Sequence, residues 1–496
     1  MTELQLETVS SQTALSKMSL SDRVFYYFEE ISKIPRGSGN TKEISDYCVE
    51  FARKKGFFVR QDEWNNVVIR KPASYGREKE AGIIIQGHLD MVAEKLPDSL
   101  HDFLKDSIEL ITEGDFLTAK DTTLGADDGI AVAMGLALLE DDKLSHPCLE
   151  VIFTSDEETG MDGAMNLDMS DITGKYVLNL DSETEGILTA GCAGGAKVKT
   201  VLPLARTEYR GLCCGIVITG LKGGHSGAEI DKERANADIL MIRLLRMLYK
   251  EEGIRLFSLS GGGKDNAIPR ECRCQIILDS GHFDKIKEKI SCFEELIRKE
   301  YASSDSDISV QMIKEEEGIF QILDEQSLKK VLFYFYNIPN GVIFMNQDIK
   351  GLVETSLNLG ILTVNSHKAE CYISVRSSVA SRKKLLLEKL ADMAEQVGAK
   401  MSVSGEYPEW SFRRESKLRE TMIKLYYEMY AEELKVDVIH AGLECGYLLQ
   451  KKPELDIISF GPQMYDIHTT EERLSISSTN KIYAFVKRLI ETGIKE

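Results

Sequence analysis

The chain contains 496 residues, of which 43% are hydrophobic and 28% are charged, as in soluble globular proteins with more than one domain. Its 61 Lys and Arg residues stand against 80 Asp and Glu residues, and the resulting net charge of −19 opposes binding to nucleic acids or anionic membranes. No segment approaches the ~18 uninterrupted apolar residues of a membrane span, and the polar residues 1–20 lack the pattern of a secretion signal.

The ten cysteines are scattered along the chain. The close pairs Cys213-Cys214 and Cys272-x-Cys274 have neither the spacing of a structural zinc site nor that of a redox motif. We therefore expect reduced and mostly buried thiols, and a cytoplasmic location.

The amino-terminal part of the chain alternates between helical and strand patterns. Helical spacing in SDRVFYYFEEISK and TKEISDYCVEFARKKG is followed by strand-like runs at GFFVR, NVVIR, AGIIIQG, CLEVIFTS and KYVLNLD. Between these runs, DDGIAVAMGLALLED has the length and the small residues of a helix packed closely on a sheet. The alternation predicts the α/β class, with a central, mostly parallel sheet flanked by helices.

From about Gly194 the pattern changes to hydroxyl-rich and charged strands with long amphipathic helices, which predicts a separate α+β domain. After residue 408 the chain returns to helix and buried strand, including DIISFGPQ and the closing helix STNKIYAFVKRLIETG. This order predicts one domain formed by residues 1–194 and 409–496, with a second domain, residues 195–408, inserted into it.

Metal-capable side chains follow the predicted buried strands or begin a helix. They are His88 and Asp90 after AGIIIQG, Asp127 at a glycine-flanked helix start, Asp156, Glu157 and Glu158 after LEVIFTS, Asp181 after KYVLNL, and His468 after DIISF. Taken singly, each fits an ordinary helix cap, solvated loop or strand end. Together they place like charges at one edge of a sheet, which is favourable only when cations neutralise them. Imidazole and carboxylate ligands without thiolates suit zinc, cobalt or manganese at a hydrolytic site.

The ordered motifs resemble one protein family over the whole chain. His-x-Asp at residues 88–90, Gly-Ala-Asp-Asp at 125–128, Asp-Glu-Glu-x-Gly at 156–160, the later Asp and the last His occur in the order and at the intervals of the di-zinc exopeptidases and deacylases. That family includes carboxypeptidase G, acetylornithine deacetylase and cytosolic dipeptidases. The segments LGADDGIAVAMG, GLKGGHSGAEI, NAIPREC and HAGLECG further resemble its aminoacyl-histidine dipeptidase branch, also called Xaa-His dipeptidase or peptidase D. Gly129 stands where many relatives have Lys, which fits this branch.

The resemblance implies two divalent metal ions, zinc by preference and cobalt or manganese as alternatives. The implied ligands are His88, Glu158, Asp181 and His468, with Asp127 bridging the two ions. Glu157 would be the general base, which takes a proton from water and passes it to the leaving amine. Asp90 would accept a hydrogen bond from His88 and thereby orient the imidazole.

The resemblance also implies that the inserted domain is a lid and dimerisation domain that supplies residues to the reaction. His225, in the glycine-rich segment GGHSG, would stabilise the tetrahedral oxyanion. Asn266 and Arg376 resemble groups that bind the carboxylate of the substrate, although a turn Asn and an ion-paired strand Arg are equally ordinary explanations. Glu444 would receive the free amine of a dipeptide.

The resemblance therefore implies a cytosolic metallodipeptidase that hydrolyses short peptides, in particular Xaa-His dipeptides of the carnosine type. Two alternatives keep the chemistry and change the substrate, namely a tripeptidase and a deacylase that removes N-acyl groups from amino acids. A third, from a different class, is a non-catalytic relative that binds peptide or metal only. The expected partner is a small peptide, with no nucleic acid or membrane, and a homodimer is compatible with the resemblance.

Overall fold

The computed structural model describes residues 22–347 and 349–494, so the polar amino-terminal stretch, for which we expect no secretion signal, lies outside the described residues. The chain divides into two compact units. The first unit comprises Met1–Gly191, Phe412–Val438 and Glu444–Glu496, and the second comprises Cys192–Ser411 and Ile439–Leu443.

The second unit differs in its limits from the predicted insertion of residues 195–408. It begins at Cys192, ends at Ser411 and takes in Ile439–Leu443 as well. The backbone N–H of Ala193 donates to the carbonyls of Ile439 and Ala441, at 3.1 and 3.0 Å. This long-range pairing has no local sequence pattern, and therefore the sequence did not indicate the extra segment.

Residues 22–192 contain helices and strands in alternation, as predicted. The helices are α1 Asp22–Ser32, α2 Lys42–Lys55, α3 Ala126–Glu140, α4 Glu157–Gly160 and α5 Asp162–Asn166. The strands are β1 Phe58–Gln61, β2 Val67–Lys71, β3 Ile83–His88, β4 Leu110–Glu113, β5 Phe116–Ala119, β6 Leu149–Thr154, β7 Tyr176–Asn179 and β8 Ile187–Cys192.

The second unit contains long strands and amphipathic helices. The strands are β9 Gly194–Pro203, β10 Arg206–Thr219, β11 Gly224–His225, β12 Arg255–Gly261, β13 Ala267–Ile268, β14 Cys272–Leu278, β15 Ser309–Leu323, β16 Gly341–Met345, β17 Val353–Val364, β18 Lys368–Ser377 and β19 Lys400–Tyr407. The helices are α6 Ala237–Glu252, α7 Phe283–Glu300, α8 Glu325–Asn337 and α9 Ala380–Val397, with short 3-10 turns at Ile230–Lys232 and Ser280–His282.

The carboxyl-terminal part of the chain returns to the first unit. Its elements are α10 Lys417–Tyr430, β20 Lys435–Ile439, α11 Cys445–Lys451, β21 Asp456–Ser459, β22 Met464–Tyr465, β23 Arg473–Ser475 and α12 Ile476–Thr492. The buried strand and the closing helix predicted here are therefore present.

An eight-stranded sheet forms the centre of the first unit, in the order β1-β2-β6-β3-β7-β21-β8-β20. Its central strands β6, β3, β7 and β21 are parallel, as expected for short, continuous runs of β-branched residues. The pairs β1-β2, β2-β6 and β21-β8 are antiparallel. A four-stranded sheet, β22-β23-β5-β4, completes this unit, and the predicted α/β class is confirmed.

Helix α3 lies against β3 and contacts α1. Every residue of α3 except Glu140 is buried, as the small-residue pattern predicts. A Cβ added to Gly135 would lie 2.9 Å from Cζ of Phe153. Glycine therefore allows the helix to approach the sheet closely.

The second unit is built on a nine-stranded sheet that follows the path β15-β10-β14-β12-β17-β18-β9-β19, with β16 paired to β17. All of these pairs are antiparallel. The helices contribute apolar residues to a core that belongs to this unit alone. The predicted α+β character of the inserted region is thus confirmed.

The ten cysteines are all free, and eight of them are buried, as expected for reduced thiols. Within residues 22–347 and 349–494, none of the helices combines the length and the apolar content that crossing a bilayer requires.

Asp238 is a fully buried carboxyl group in the first turn of α6. Burial raises the pKa of Asp238 to about 8, and the neighbouring Cys272 opposes this only in part. Because the folded-state pKa exceeds that of an unfolded Asp, the contribution of this group to stability is complete below about pH 4 and is lost as the pH rises to about 8.

We expect Asp238→Asn to remove this pH dependence. Between pH 5 and pH 8 the variant should gain up to about 4 kcal/mol of unfolding free energy relative to the wild-type protein, at about 1.36 kcal/mol per pH unit. Urea unfolding followed at both pH values measures the difference. Asp392→Asn, an exposed position on α9, is the control and should follow the wild-type profile. Parallel profiles for Asp238→Asn and the wild-type protein would contradict a protonated, buried Asp238.

Candidate metal centre

Three adjacent strands of the first unit carry predicted site residues at their carboxyl ends. His88 is the last residue of β3, Glu157 and Glu158 begin α4 just after β6, and Asp181 lies two residues beyond β7. The strands β6, β3 and β7 are neighbours and parallel. Their carboxyl ends therefore meet at one edge of the sheet.

His88 is buried, and its two ring nitrogens face different carboxylates. Nδ1 is 3.4 Å from Oδ1 of Asp90 and 3.1 Å from the Asp90 carbonyl oxygen. Nε2 is 3.2 Å from Oδ1 of Asp127 and 3.7 Å from Oδ1 of Asp181. A proton on Nδ1, held by Asp90, leaves the Nε2 lone pair directed at the other two carboxylates.

Asp90 is fully buried and joins three segments of the chain. It accepts a hydrogen bond of 2.7 Å from the hydroxyl of Ser38, and bonds of 3.1 and 3.3 Å from the backbone N–H groups of Glu157 and Glu158. Burial alone would raise the pKa of Asp90, but His88, Ser38 and the Glu157 N–H hold it at about 2. Asp90 therefore stays ionised and fixes both the imidazole of His88 and the first turn of α4.

Asp127 lies between the two predicted histidine ligands. Its Oδ1 is 3.2 Å from Nε2 of His88, and its Oδ2 is 3.0 Å from Nε2 of His468. Nε2 of His468 also lies 3.0 Å from Oε1 of Glu158. A carboxylate that turns each oxygen towards a different histidine has the geometry of a bridge between two cations.

Three groups of side chains each bring ligand atoms within 4.8 Å of one another. They are His88 with Asp127 and Asp181, Asp127 with Glu158 and His468, and His88 with Glu157 and Glu158. The first two groups share Asp127, so each offers one histidine, one carboxylate of its own and one shared carboxylate. Nitrogen and oxygen ligands without thiolates fit zinc, cobalt or manganese. The five predicted ligands are thus brought together.

The negative charge at this edge acts on the nearby titratable groups. Hydrogen bonds to Asp127 and Glu158 raise the pKa of His468 to about 10. Burial raises the pKa of Glu157 well above its usual value, and although His88 opposes this, the charges of Asp181, Glu444 and Glu158 add to it. Bound cations are the physical means of compensating so much charge in a sheltered site.

Glu444 lies in a buried polar network next to the ligand-bearing strand ends. Its Oε2 accepts hydrogen bonds from Nε2 of Gln86 and Oγ1 of Thr154, both 2.6 Å long. Nδ2 of Asn179 donates to Oε1 of Gln86 at 2.5 Å. Because these partners belong to β3, β6 and β7, the network cross-links the three strands at whose ends predicted ligands lie. Burial raises the pKa of Glu444 to about 7, and its predicted role in binding the amine stays a prediction.

Two buried charged residues that the sequence analysis did not single out hold the turn before Asp127. Glu472 accepts hydrogen bonds from the backbone N–H groups of residues 124–127. Arg36 donates to the carbonyl of Gly125 in the same turn, and also to the carbonyls of residues 89 and 90 at 3.1 Å each. The sequence IPRGSGN around Arg36 predicts only the end of a helix, and no local pattern marks Glu472.

His225, Asn266 and Arg376 lie near one another in the second unit. The pairing of β11 with β13 places His225 opposite the residue that follows Asn266. A Cβ added to Gly227 would lie 3.0 Å from Cε1 of His225 and 3.2 Å from Cζ of Arg376. Nη1 of Arg376 donates to the hydroxyl of Tyr407 at 2.9 Å. The three residues that the resemblance assigns to the substrate are therefore grouped within this unit.

The hydrogen bonds of His225 determine which of its ring nitrogens can donate. Nδ1 accepts from the backbone N–H groups of Gly227 and Ala228, at 3.2 and 3.1 Å. The proton of the neutral ring is therefore on Nε2. Burial and the charge of Arg376 lower the pKa of His225, so the ring is neutral at pH 7 and presents Nε2–H as a donor.

Comparison with known proteins gives consistent matches. The model of peptidase family M20/M25/M40 matches residues 84–492. The cytosol non-specific dipeptidase of Escherichia coli (strain K12) is 34% identical over 466 residues, which cover 94% of this chain and 96% of the relative. The crystal structure of aminoacylhistidine dipeptidase from Vibrio alginolyticus has a TM-score of 0.92 at 34% identity and covers 97% of this chain and 100% of that chain.

A more distant structure shares the fold. The crystal structure of aminopeptidase PepT from Bacillus cereus ATCC 10987 matches with a TM-score of 0.56 at 15% identity, over 95% of this chain and 98% of that chain. The matches to the family model and to the two relatives at 34% identity confirm the family that the ordered motifs predict. The chain belongs to the peptidase family M20/M25/M40.

Proposed function

We propose that the protein is a metal-dependent dipeptidase and that Xaa-His dipeptides of the carnosine type are among its substrates. The observation that carries the proposal is the position of Asp127, whose two carboxylate oxygens face His88 and His468 separately. The relatives at 34% identity, named cytosol non-specific dipeptidase and aminoacylhistidine dipeptidase, support this activity.

The proposed cofactor is a pair of zinc ions, with cobalt and manganese as alternatives. His88 and Asp181 would hold one ion, Glu158 and His468 the other, and Asp127 both. When bound, two such cations lower the pKa of a water molecule and polarise the carbonyl of the scissile peptide bond. The grouping of the ligand atoms within 4.8 Å supports this assignment.

Glu157 is the proposed general base. It would accept the proton of the attacking water and then donate that proton to the leaving amine. Its raised pKa, caused mainly by burial, supports the first step, because a carboxylate with a raised pKa is a stronger base. Asp90 would act indirectly, since it orients His88 and holds the N–H groups of Glu157 and Glu158.

The remaining roles concern the substrate. His225 would donate Nε2–H to the tetrahedral oxyanion. The hydrogen bonds to Nδ1, which leave the proton of the neutral ring on Nε2, support this role. Asn266 and Arg376 would bind the substrate carboxylate, for which a guanidinium group is well suited. Glu444 would receive the free amine. Each of these assignments can be tested by replacing one side chain and comparing kcat with KM.

A panel of substrates tests the proposed activity. With zinc-loaded protein we expect kcat/KM for Ala-His to exceed that for a tripeptide and for an N-acetyl amino acid by at least about tenfold. Each of these two substrates would lose a hydrogen bond to one of the charged groups proposed to bind the two ends of a dipeptide, and such a loss costs about 1.5–3 kcal/mol. Release of the free amino acids measures each rate.

The outcome also separates the alternatives. Preference for the tripeptide would favour a tripeptidase, and preference for the N-acetyl amino acid would favour a deacylase. Failure on every dipeptide would contradict the proposal, and tight metal or peptide binding without turnover would favour the non-catalytic class.

We also propose a cytoplasmic location, which the free cysteines and the name of the Escherichia coli relative support. A homodimer stays a prediction, which light scattering on the purified protein tests.

A further inference from the structure

Glu472 is a buried carboxylate, only 2% exposed, in the loop that follows His468. Its Oε2 accepts hydrogen bonds from the backbone N–H groups of Leu124 and Gly125, at 2.8 and 3.0 Å. Its Oε1 accepts from those of Ala126 and Asp127, at 2.8 and 3.4 Å. Four successive backbone donors are thus satisfied by one side chain.

The contact joins two parts of the chain that are 345 residues apart in sequence. On one side, the N–H groups belong to the turn into α3, which ends in Asp127. On the other, Glu472 lies four residues after His468, whose backbone has a positive φ of 62°. One carboxylate therefore ties together the two loops that carry the Asp127 and His468 ligands.

The chemistry of the turn explains why a carboxylate is needed. Successive N–H groups at the start of a helix form a concave site that favours negative charge. On its carbonyl side the same turn accepts a hydrogen bond from the buried guanidinium of Arg36. A neutral amide in place of Glu472 would have one accepting oxygen and would turn an NH₂ group towards backbone donors.

An ordinary helix cap does not account for this arrangement. Some caps in the chain are local, as at Ser475, whose side chain accepts from the N–H of Ser478 at the start of α12. Glu472, like Asp90 at the first turn of α4, comes instead from a distant segment, and its neighbour in the chain, Glu471, is exposed. The side chain is therefore placed to set the distance between two loops as well as to satisfy one helix end.

We infer that Glu472 is a positioning residue for the cation held by Asp127, Glu158 and His468. By fixing the turn before Asp127 relative to the loop of His468, it keeps both ligands at the separation that one cation requires. The inference rests on the two-ion centre proposed above. It predicts that loss of the carboxylate weakens the binding of this ion, which has two ligands on the loops that Glu472 joins, more than the binding of the ion at His88 and Asp181, which has only the shared Asp127 there.

Metal titration of Glu472→Gln tests the inference. Replacing groups that orient metal ligands typically costs ~10–100-fold in metal affinity, so we expect one of the two stepwise zinc affinities to fall by about that factor and the other to change by less than about threefold. Competition with a chromophoric chelator measures both steps, and metal analysis after dialysis measures the zinc retained per chain. Added zinc should restore kcat to the wild-type range with little change in KM.

Glu471→Gln is the matched control, because it makes the same change of charge one residue away at an exposed position. It should bind zinc like the wild-type protein. Thermal unfolding and circular dichroism of the zinc-free proteins report whether each variant is folded. If Glu472→Gln does not fold, Glu472→Asp, which keeps the charge and shortens the reach by one methylene, replaces it and should show the same selective loss.

The results separate this inference from the proposed function. If the folded Glu472 variant has the same two zinc affinities as the wild-type protein, the positioning role is contradicted and the proposed function stays intact. A wild-type protein that binds fewer than two zinc ions would contradict the two-ion centre itself. If both zinc affinities fall equally, or if neither Glu472 variant folds, Glu472 contributes to the general stability of the fold and the inference is overturned.

Discussion

Replacing Glu157 by Gln is expected to lower kcat for dipeptide hydrolysis by about 10²–10⁴-fold, the range in which general acid–base catalysis contributes. Gln has nearly the same shape as Glu but cannot take a proton from water at neutral pH. The backbone N–H of Glu157 would still donate to Asp90, so the turn that places Glu158 should remain. Steady-state kinetics with Ala-His and metal analysis of the same preparation measure the two effects.

Metal content decides how this result is interpreted. Glu157 also lies within 4.8 Å of the ligand atoms of His88 and Glu158, so a ligand role has to be distinguished from a base. If Glu157 is the general base, the Glu157→Gln variant should keep two metal ions per chain while turnover is lost. Loss of an ion in parallel with turnover would make Glu157 a ligand, and unchanged turnover would refute both roles. Glu113→Gln, at an exposed position, controls for the change of charge.

Replacing Asp127 by Asn should remove both metal ions. Each oxygen of Asp127 faces a different histidine, and an amide offers one accepting oxygen and no negative charge. Since changes to groups that merely orient ligands cost ~10–100-fold in metal affinity, loss of a shared ligand should cost more than about 100-fold at each site. Turnover should then fall below detection at metal concentrations that saturate the wild-type protein.

Zinc titration and metal analysis after dialysis measure the outcome for Asp127→Asn. Asp142→Asn, at an exposed position just beyond α3, is the matched control and should retain both ions. If Asp127→Asn loses one ion and binds the other with wild-type affinity, Asp127 is a ligand to a single ion and the proposed bridge is wrong. If the variant retains both ions, Asp127 is a ligand to neither of them.

The grouping of the candidate ligands could be predicted because it follows from strand patterns. Continuous β-branched runs such as the one before His88 indicate buried parallel strands, and parallel strands bring their carboxyl ends to one edge. Glu158 and Asp181 follow two further runs of this kind, so their convergence with His88 needed no knowledge of distant contacts. The α/β class could be predicted for the same reason.

Spacing alone could not distinguish between adjacent acidic residues. Asp127 and Asp128 are both buried near His88, and Oδ2 of Asp128 accepts the backbone N–H of His88 at 3.2 Å. Only the resemblance to a known family singled out Asp127 in the sequence. In the structure, its two oxygens are the ones that face the two histidines.

Residues that act through long-range backbone contacts could not be predicted either. Glu471 and Glu472 are identical in type and adjacent, yet one is exposed and the other is buried against a turn more than 340 residues earlier in the chain. Arg36 likewise gives no local signal, since its partners are backbone carbonyls that any sequence could supply. Such contacts depend on how the loops are brought together by the folded sheet.

Anomalous X-ray diffraction at the zinc edge, on crystals of the zinc-loaded protein, tests most directly whether Asp127 bridges two ions. We expect two peaks about 3.5–4 Å apart, the separation typical of two-metal hydrolytic sites. One should lie beside His88 and Asp181, and the other beside Glu158 and His468. A single peak, or peaks away from Asp127, would contradict a two-ion centre.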